Sequence, residues 1–296
     1  MTEIRIEIAG ICCLIKTPDK GIADMIRDNY FSFLSTNVPE LDILLQTNNH
    51  TPVLKNIEVT LHYDDNTVFI TRADLSGSIN LSNWTAEVTV SKQSHSFDSF
   101  LRVLFSLALA ERMGFLIHST GFVKNDKGYI FAGPKFSGKT TIAGLVLGGD
   151  TFPANPYPDK SGENINKNNS FARICSQNIL LSDEIIAVRK QGDIFYLFGT
   201  PFQGSMRDSA QNGSSELSNI FLFGEKLAPV RNLTPSDAVY KLLPNVLFFT
   251  CGHSNGMQNI LNLTTSLFSL CCDLCRNVSC SEIGLEYAKE LINEIR

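Results

Sequence analysis

Residues 133–140 read Gly-Pro-Lys-Phe-Ser-Gly-Lys-Thr, a full match to the spacing G-x(4)-G-K-[ST]. The pattern constrains the fold because its backbone N–H groups converge only when the loop leaves a strand and opens a helix. The flanks comply. Tyr129-Ile-Phe-Ala132 is a short apolar run suited to a strand, and Thr141 to Leu147 continues as a helix. Such a loop curls around a polyphosphate, with Lys139 meeting the outer phosphates and the Thr140 hydroxyl meeting a magnesium ion. The expected contact set is Gly133, Pro134, Lys135, Phe136, Ser137, Gly138, Lys139, Thr140 and Thr141, and the expected ligand class is a nucleoside triphosphate with magnesium.

The surroundings add three features. Upstream, Phe115–Val123 and Gly128–Ala132 are apolar runs joined by Asn125-Asp-Lys-Gly, so an antiparallel hairpin feeds the loop instead of a β-α-β crossover. Downstream, the apolar segment Asn178–Val188 is interrupted by Asp183-Glu184. An acidic residue at the tip of a strand that follows a phosphate loop is suited to holding magnesium, directly or through water. The competing reading is a solvent-facing acidic turn. Asp183 and Thr140 are therefore the metal candidates, and Asp183, Glu184 and His118 the catalytic ones. His118 is the weakest on chemistry alone, since a single histidine on an apolar strand is more often a satisfied core residue. The Gly199–Gly204 loop, polar at Thr200 and Gln203, is placed to line the same site.

Around this centre the chain divides by texture. Residues 1–96 read as a β-rich N-terminal subdomain with one helix, and residues 97–296 as the nucleotide-binding domain. Within the latter, 148–177 is a polar insert or lid and 235–296 a helical tail. A net charge of −5 gives no basic surface for nucleic acid or an anionic membrane. No apolar run reaches membrane-spanning length. The start, MTEIRIEIAGICCLI, alternates like a strand and is not a signal peptide, so the expected compartment is the cytoplasm. The eight cysteines then read as reduced thiols. Cys272-x2-Cys275, with Cys251-x-His253, has zinc-like spacing. The apolar stretch TTSLFSLCCDLCRNVSC is better explained as a helix in which small thiols pack.

In this order, His118, the hairpin, the loop Gly133–Thr140, Leu180-Leu-Ser-Asp183-Glu184 and Gly199-Thr-Pro-Phe-x-Gly204 resemble the HPr kinase/phosphorylase family. That family shares its core with phosphoenolpyruvate carboxykinases. The likeness covers residues 97–225 and is to the HPr-kinase-like proteins rather than to HPr kinase itself. It implies an α/β P-loop core of α+β character, built on a mixed sheet. It also implies an ATP- and Mg²⁺-dependent kinase that transfers the γ-phosphoryl group to a serine hydroxyl of a peptide or protein.

In that scheme Lys139 and Thr140 handle phosphate and Mg²⁺, and Asp183 and Glu184 share metal binding and acceptance of the hydroxyl proton. His118 orients the acid or contacts phosphate. Family members often form hexamers or dimers, so the resemblance allows a homo-oligomer, while the residues leave the oligomeric state open. The chain departs from the family in three places. Asp183-Glu184 stands for a common Asp-Asp, and Pro134, Lys135 and Phe136 stand where small residues are usual. The arginine loop used for HPr docking has no counterpart, so HPr is not the expected acceptor. Two alternatives stay open: a nucleotide-binding regulatory or scaffold protein that no longer transfers phosphate, and a small-molecule kinase.

Overall fold

Alternating burial builds the first sheet. In β1 (Thr2–Ile8), Ile4, Ile6 and Ile8 point inward, and β2 (Ile11–Thr17) returns beside it. The turn between them, Ala9-Gly10, has φ of 53° and 74°, the left-handed pair that matches the strand twist of a tight hairpin. Helix α1 (Lys20–Asn29) buries Ile22, Ala23 and Ile26 on one face and crosses to β3 (Leu41–Asn48), which runs parallel to β2. A meander of β4 (Thr60–Asp64), β5 (Thr67–Arg72), β6 (Leu75–Asn80) and β7 (Thr85–Ser91) completes it, with β7 parallel to β3. The order is β1-β2-β3-β7-β6-β5-β4. Its inward side chains share one apolar core with α1 and with α2 (Ser94–Glu111). The computed structural model describes residues 1–48, 58–148, 178–204, 211–249 and 257–295. Most of the expected insert or lid, 149–177, lies outside the described residues, as do Cys175, Cys251 and His253.

The second sheet carries the phosphate-loop motif. After α2 come β8 (Gly114–Lys124), β9 (Lys127–Ala132) and α3 (Lys139–Val146), then β10 (Asn178–Ser182), β11 (Ile185–Gln191), β12 (Ile194–Phe198) and β13 (Ser214–Phe223). The turn between β8 and β9 is made by Asn125 and Asp126, both left-handed, so the hairpin expected from the sequence is present. Short β14 (Arg231–Asn232), helix α4 (Pro235–Leu242) and β15 (Val246–Leu247) follow, then α5 (Met257–Asn277), β16 (Ser279–Ile283) and α6 (Leu285–Ile295). The sheet is mixed, because β9 and β16 run parallel to β13 and the other pairs are antiparallel.

Strands β8, β11, β12, β13 and β9 pair in a closed circuit that returns to β8. The circuit is tight inside. A side chain at Gly128 would meet the Leu197 methyl at 1.8 Å, so only glycine fits there. The fold is thus α/β with mixed sheets.

One local expectation fails. The tail is not wholly helical, because the cysteine-rich run leaves its helix at Asn277 and enters β16. The Asn277 amide donates to the Asp273 carbonyl at 2.8 Å, ending the helix, and Val278, Cys280 and Ile283 then bury into the sheet beside β13. Cys271, Cys275 and Cys280 are buried in the second sheet's core, and burial pushes the Cys271 thiol up to about 12. Among the described residues no helix is long and apolar enough to cross a membrane.

Helix α2 lies against both sheets, and its core includes Leu116, Ile185 and Ala187 from the second and Phe202 from the loop after β12. Two polar contacts tie the sheets further. The Arg189 guanidinium donates to the Ala9 carbonyl at 2.6 Å, and the Tyr63 hydroxyl donates to the Phe249 carbonyl at 3.0 Å.

The Asp19 carboxylate caps α1, accepting from the Gly21 and Ile22 N–H groups at 2.9 and 3.3 Å. It also accepts from Thr47 at 2.7 Å and pairs with Lys92 at 3.2 Å. The Thr47 and Lys92 contacts lead in holding its pKa at about 2, against an ordinary 3.8. A depressed carboxyl stabilises the fold above its unfolded pKa and loses that contribution as pH falls through the folded value. Asp19→Ala is expected to cost about 1 kcal/mol at neutral pH. In urea titrations the gap from wild type narrows as pH falls from about 4 to about 2; a gap of constant size would reject the assignment to this carboxylate.

Candidate functional site

The site forms where strand β8 changes partners. Its first half, residues 114–118, pairs with β11; its second half, 119–124, pairs with β9. Strand β10 lies on residues 121–124, so the Asp183-Glu184 turn joining β10 to β11 falls beside His118-Ser119-Thr120. On the opposite edge Ser119 pairs with Ala132, the last residue before the phosphate loop. Three residues of one strand therefore hold the loop on one side and the acidic turn on the other.

Two hydrogen bonds fix this arrangement. The Ser119 N–H donates to the Glu184 carbonyl at 2.9 Å. The buried Thr120 hydroxyl lies 2.9 Å from the Lys139 carbonyl and 3.3 Å from the Asp183 carbonyl, so its one hydrogen is shared between α3 and the acidic turn.

The loop itself is well defined. Gly138 caps α3 at φ 112°, a conformation strained for any L side chain, and an added Cβ would meet Leu285 of α6 at 2.4 Å. Phe136 has φ 68° and projects outward, 91% exposed, with the Lys135 ammonium 5.1 Å from its ring centre. Lys139 is buried and its ammonium donates to the Gly133 and Pro134 carbonyls at 2.7 and 2.8 Å. Burial lowers its pKa, with Glu184 pulling the other way. The Ser137 hydroxyl oxygen is buried without a hydrogen-bond partner among the described residues. Thr140 is exposed and Thr141 half-buried at the helix start.

Across from the loop, Asp183 is buried and accepts from the Gly204 N–H at 2.9 Å. The Gly199–Gly204 loop thus reaches the acid through its backbone. Thr200, expected to line the site, instead braces it, donating to the Ile185 carbonyl at 2.6 Å. Glu184 is half-buried, and both its oxygens face Arg102 of α2, at 3.4 and 3.5 Å. Burial raises the Glu184 carboxyl; Arg102 pulls it down and Asp183 adds to the rise. The His118 pKa is lowered by burial first and then by the Lys139 and Arg102 charges, all of which favour the neutral imidazole.

His118, Lys139, Asp183 and Glu184 are therefore brought into one neighbourhood, as the sequence suggests, whereas Lys135 and Phe136 face away from it. Arg102 is the member that the motifs do not point to. A signal for it exists, since Arg102 and Asp98 are the charges inside an apolar helix, one turn apart. Among the described residues no group of three or more His, Cys, Asp or Glu side chains is arranged to hold a metal by itself.

No family model matches the sequence, and no curated protein matches it. Among solved structures the chain is similar to the HPr(Ser) kinase/phosphatase from Coxiella burnetii, at 10% identity and a TM-score of 0.26. That likeness covers 52% of this chain and 88% of the other. A superposition of that quality is a distant likeness of fold at most.

Thr120→Val removes the shared hydroxyl while keeping the shape, and is expected to lower stability by about 1 kcal/mol in chemical denaturation. An unchanged midpoint would mean the bond contributes nothing. For His118, the proton NMR titration, assigned by comparison with His118→Gln, is expected to have its midpoint below the ordinary 6.5. Lys139→Ala should move it upward without restoring 6.5, because burial is the larger cause; a midpoint at or above 6.5 in the wild type would contradict the site's electrostatics.

Proposed function

We propose that the chain is an ATP- and magnesium-dependent kinase that transfers a phosphoryl group to a serine hydroxyl of a peptide or protein. The observation that carries the reading is the shared Thr120 hydroxyl, which joins the lysine of a phosphate loop to an acidic turn across three residues of one strand. Phosphoryl transfer needs mainly position and charge neutralisation, and a cation and carboxylates fixed around one strand supply both.

The loop suits a polyphosphate on its own chemistry. The orphaned Ser137 oxygen, the N–H groups opening α3 and the Lys139 ammonium gather hydrogen-bond donors along one loop. Nucleotide and Mg²⁺ would be held by Gly133–Thr141, with Thr140 and Asp183 toward the metal; when bound, they supply the γ-phosphoryl group and neutralise its charge. Asp183, oriented by the Gly204 N–H, is the group best placed to accept the hydroxyl proton. His118 orients the acidic turn or contacts phosphate, and Lys139 exchanges the Gly133 and Pro134 carbonyls for phosphate oxygens.

A second reading, a nucleotide-binding scaffold without transfer, draws on the same two contacts that must open. Lys139 is satisfied by loop carbonyls, and Glu184 by Arg102.

Isothermal titration of ATP with Mg²⁺ is expected to saturate, with Lys139→Ala weakening it more than about tenfold. With [γ-³²P]ATP and a serine-containing peptide library, wild type should label peptides. Asp183→Ala should bind nucleotide and label none. Saturable binding with no labelling in wild type would favour the scaffold, and no binding would reject both.

A further inference from the structure

A glutamate follows Asp183 in a site where two short carboxylates would be expected, and the reason lies on α2. The Arg102 guanidinium presents its two terminal nitrogens to the two Glu184 oxygens, and its Cζ lies over the Phe202 ring, 5.5 Å from the ring centre. Phe202 is fully buried and belongs to the loop whose Gly204 N–H holds Asp183. The guanidinium thus lies against the loop that orients one carboxylate, while its terminal nitrogens meet the other. Its Nε is buried with no hydrogen-bond partner among the described residues, so the group is oriented by these two contacts.

The helix is anchored in turn. The Tyr30 hydroxyl donates to Asp98, one turn before Arg102, tying this stretch of α2 to the end of α1. The charged groups acting on Glu184 are then Arg102 and Asp98 on α2, Asp183 beside it and, across the site, Lys139 of α3.

We propose that Arg102 is the positioning residue for Glu184 and the site's charge-balancing cation. It holds the longer carboxylate toward α2, beside an Asp183 that the Gly204 N–H orients. The inference rests on the nucleotide-binding reading above. In this scheme a glutamate is required because its extra methylene reaches the guanidinium, a span an aspartate would leave short. Without Arg102 the site would hold two adjacent carboxylates against a single buried lysine, and a metal-free triphosphate would be repelled more than a magnesium-loaded one.

The probe is a fluorescent N-methylanthraniloyl ATP, titrated with EDTA and again with saturating Mg²⁺. Arg102→Gln is expected to weaken metal-free binding about fivefold and magnesium-loaded binding less than about twofold. Arg102→Gln/Glu184→Gln should bring metal-free affinity back to within about twofold of wild type, the signature of a coupled pair. Arg102→Lys, which keeps the charge, should stay close to wild type in metal-free binding.

Glu184→Gln alone leaves the α2 packing intact and is expected to strengthen metal-free binding about fivefold, so it reads the same pair if Arg102→Gln misfolds. Equal weakening of both nucleotide forms by Arg102→Gln, with no rescue by Glu184→Gln, would show a packing role only and overturn the proposal. If wild type binds neither form, the nucleotide reading falls and this inference falls with it; if wild type binds both and Glu184→Gln changes nothing, this inference alone falls.

Discussion

Everything at the candidate site depends on one strand having to serve two sets of neighbours. Strand β8 is eleven residues long, and it pairs with β11 along one half and with β9 and β10 along the other. A change of partners within a strand leaves backbone groups at the changeover that the regular ladder does not use. Here they are used by the turn between β10 and β11, through the Ser119 N–H and the Glu184 carbonyl. Register in a sheet is set by which face is buried, so a slip by one residue would turn Thr120 away from α3 and bring a neighbour in its place. The geometry of the site is therefore a consequence of strand pairing, with the side chains adding the final hydrogen bond.

The electrostatics follow from the same placement. Lys139 and Glu184 are both drawn out of water by the elements that bracket β8, and each is pulled toward its neutral form by burial. Each is also pulled back by an opposite charge, Lys139 by Glu184 and Glu184 by Arg102. Such an arrangement is sensitive to the removal of any one member, since a half-buried charge left unpaired costs more than the pair contributes. On the proposed reading this is useful: in the free loop the Lys139 ammonium is satisfied by two carbonyls, and a polyphosphate replaces those contacts without creating an orphan charge.

Much of this is legible in the sequence, and the parts that are not have a common cause. The hairpin into the phosphate loop is readable because Asn-Asp at a two-residue turn is a local signal. The strand break at Asp183-Glu184 is readable because two adjacent charges rarely sit within a buried apolar strand. Arg102 carries a signal but not a meaning, because a charge on a long apolar helix reads as its solvent edge until the fold shows what lies opposite. Strand β16 reads as helix for a related reason. Its small thiol and serines suit either state, and only the neighbouring β13 edge decides. The closed circuit of five strands is wholly non-local, resting on contacts such as Gly128 against Leu197 that no window of sequence contains.

Distant packing also keeps the phosphate loop in shape. Gly138 holds a left-handed conformation, and the space where its side chain would be is filled by Leu285 from α6. Gly133 is similarly close to Phe223, which packs with Phe131 under α3. The loop is thus clamped from beneath by the end of β13 and by the last helix, elements distant in sequence and lacking a motif of their own. A cradle held by apolar packing does not have to be ordered by its ligand, so binding need not supply that entropy. That assigns the C-terminal segment a definite part in the site: it adds no chemical group, and it fixes the backbone conformation on which every group of the loop depends.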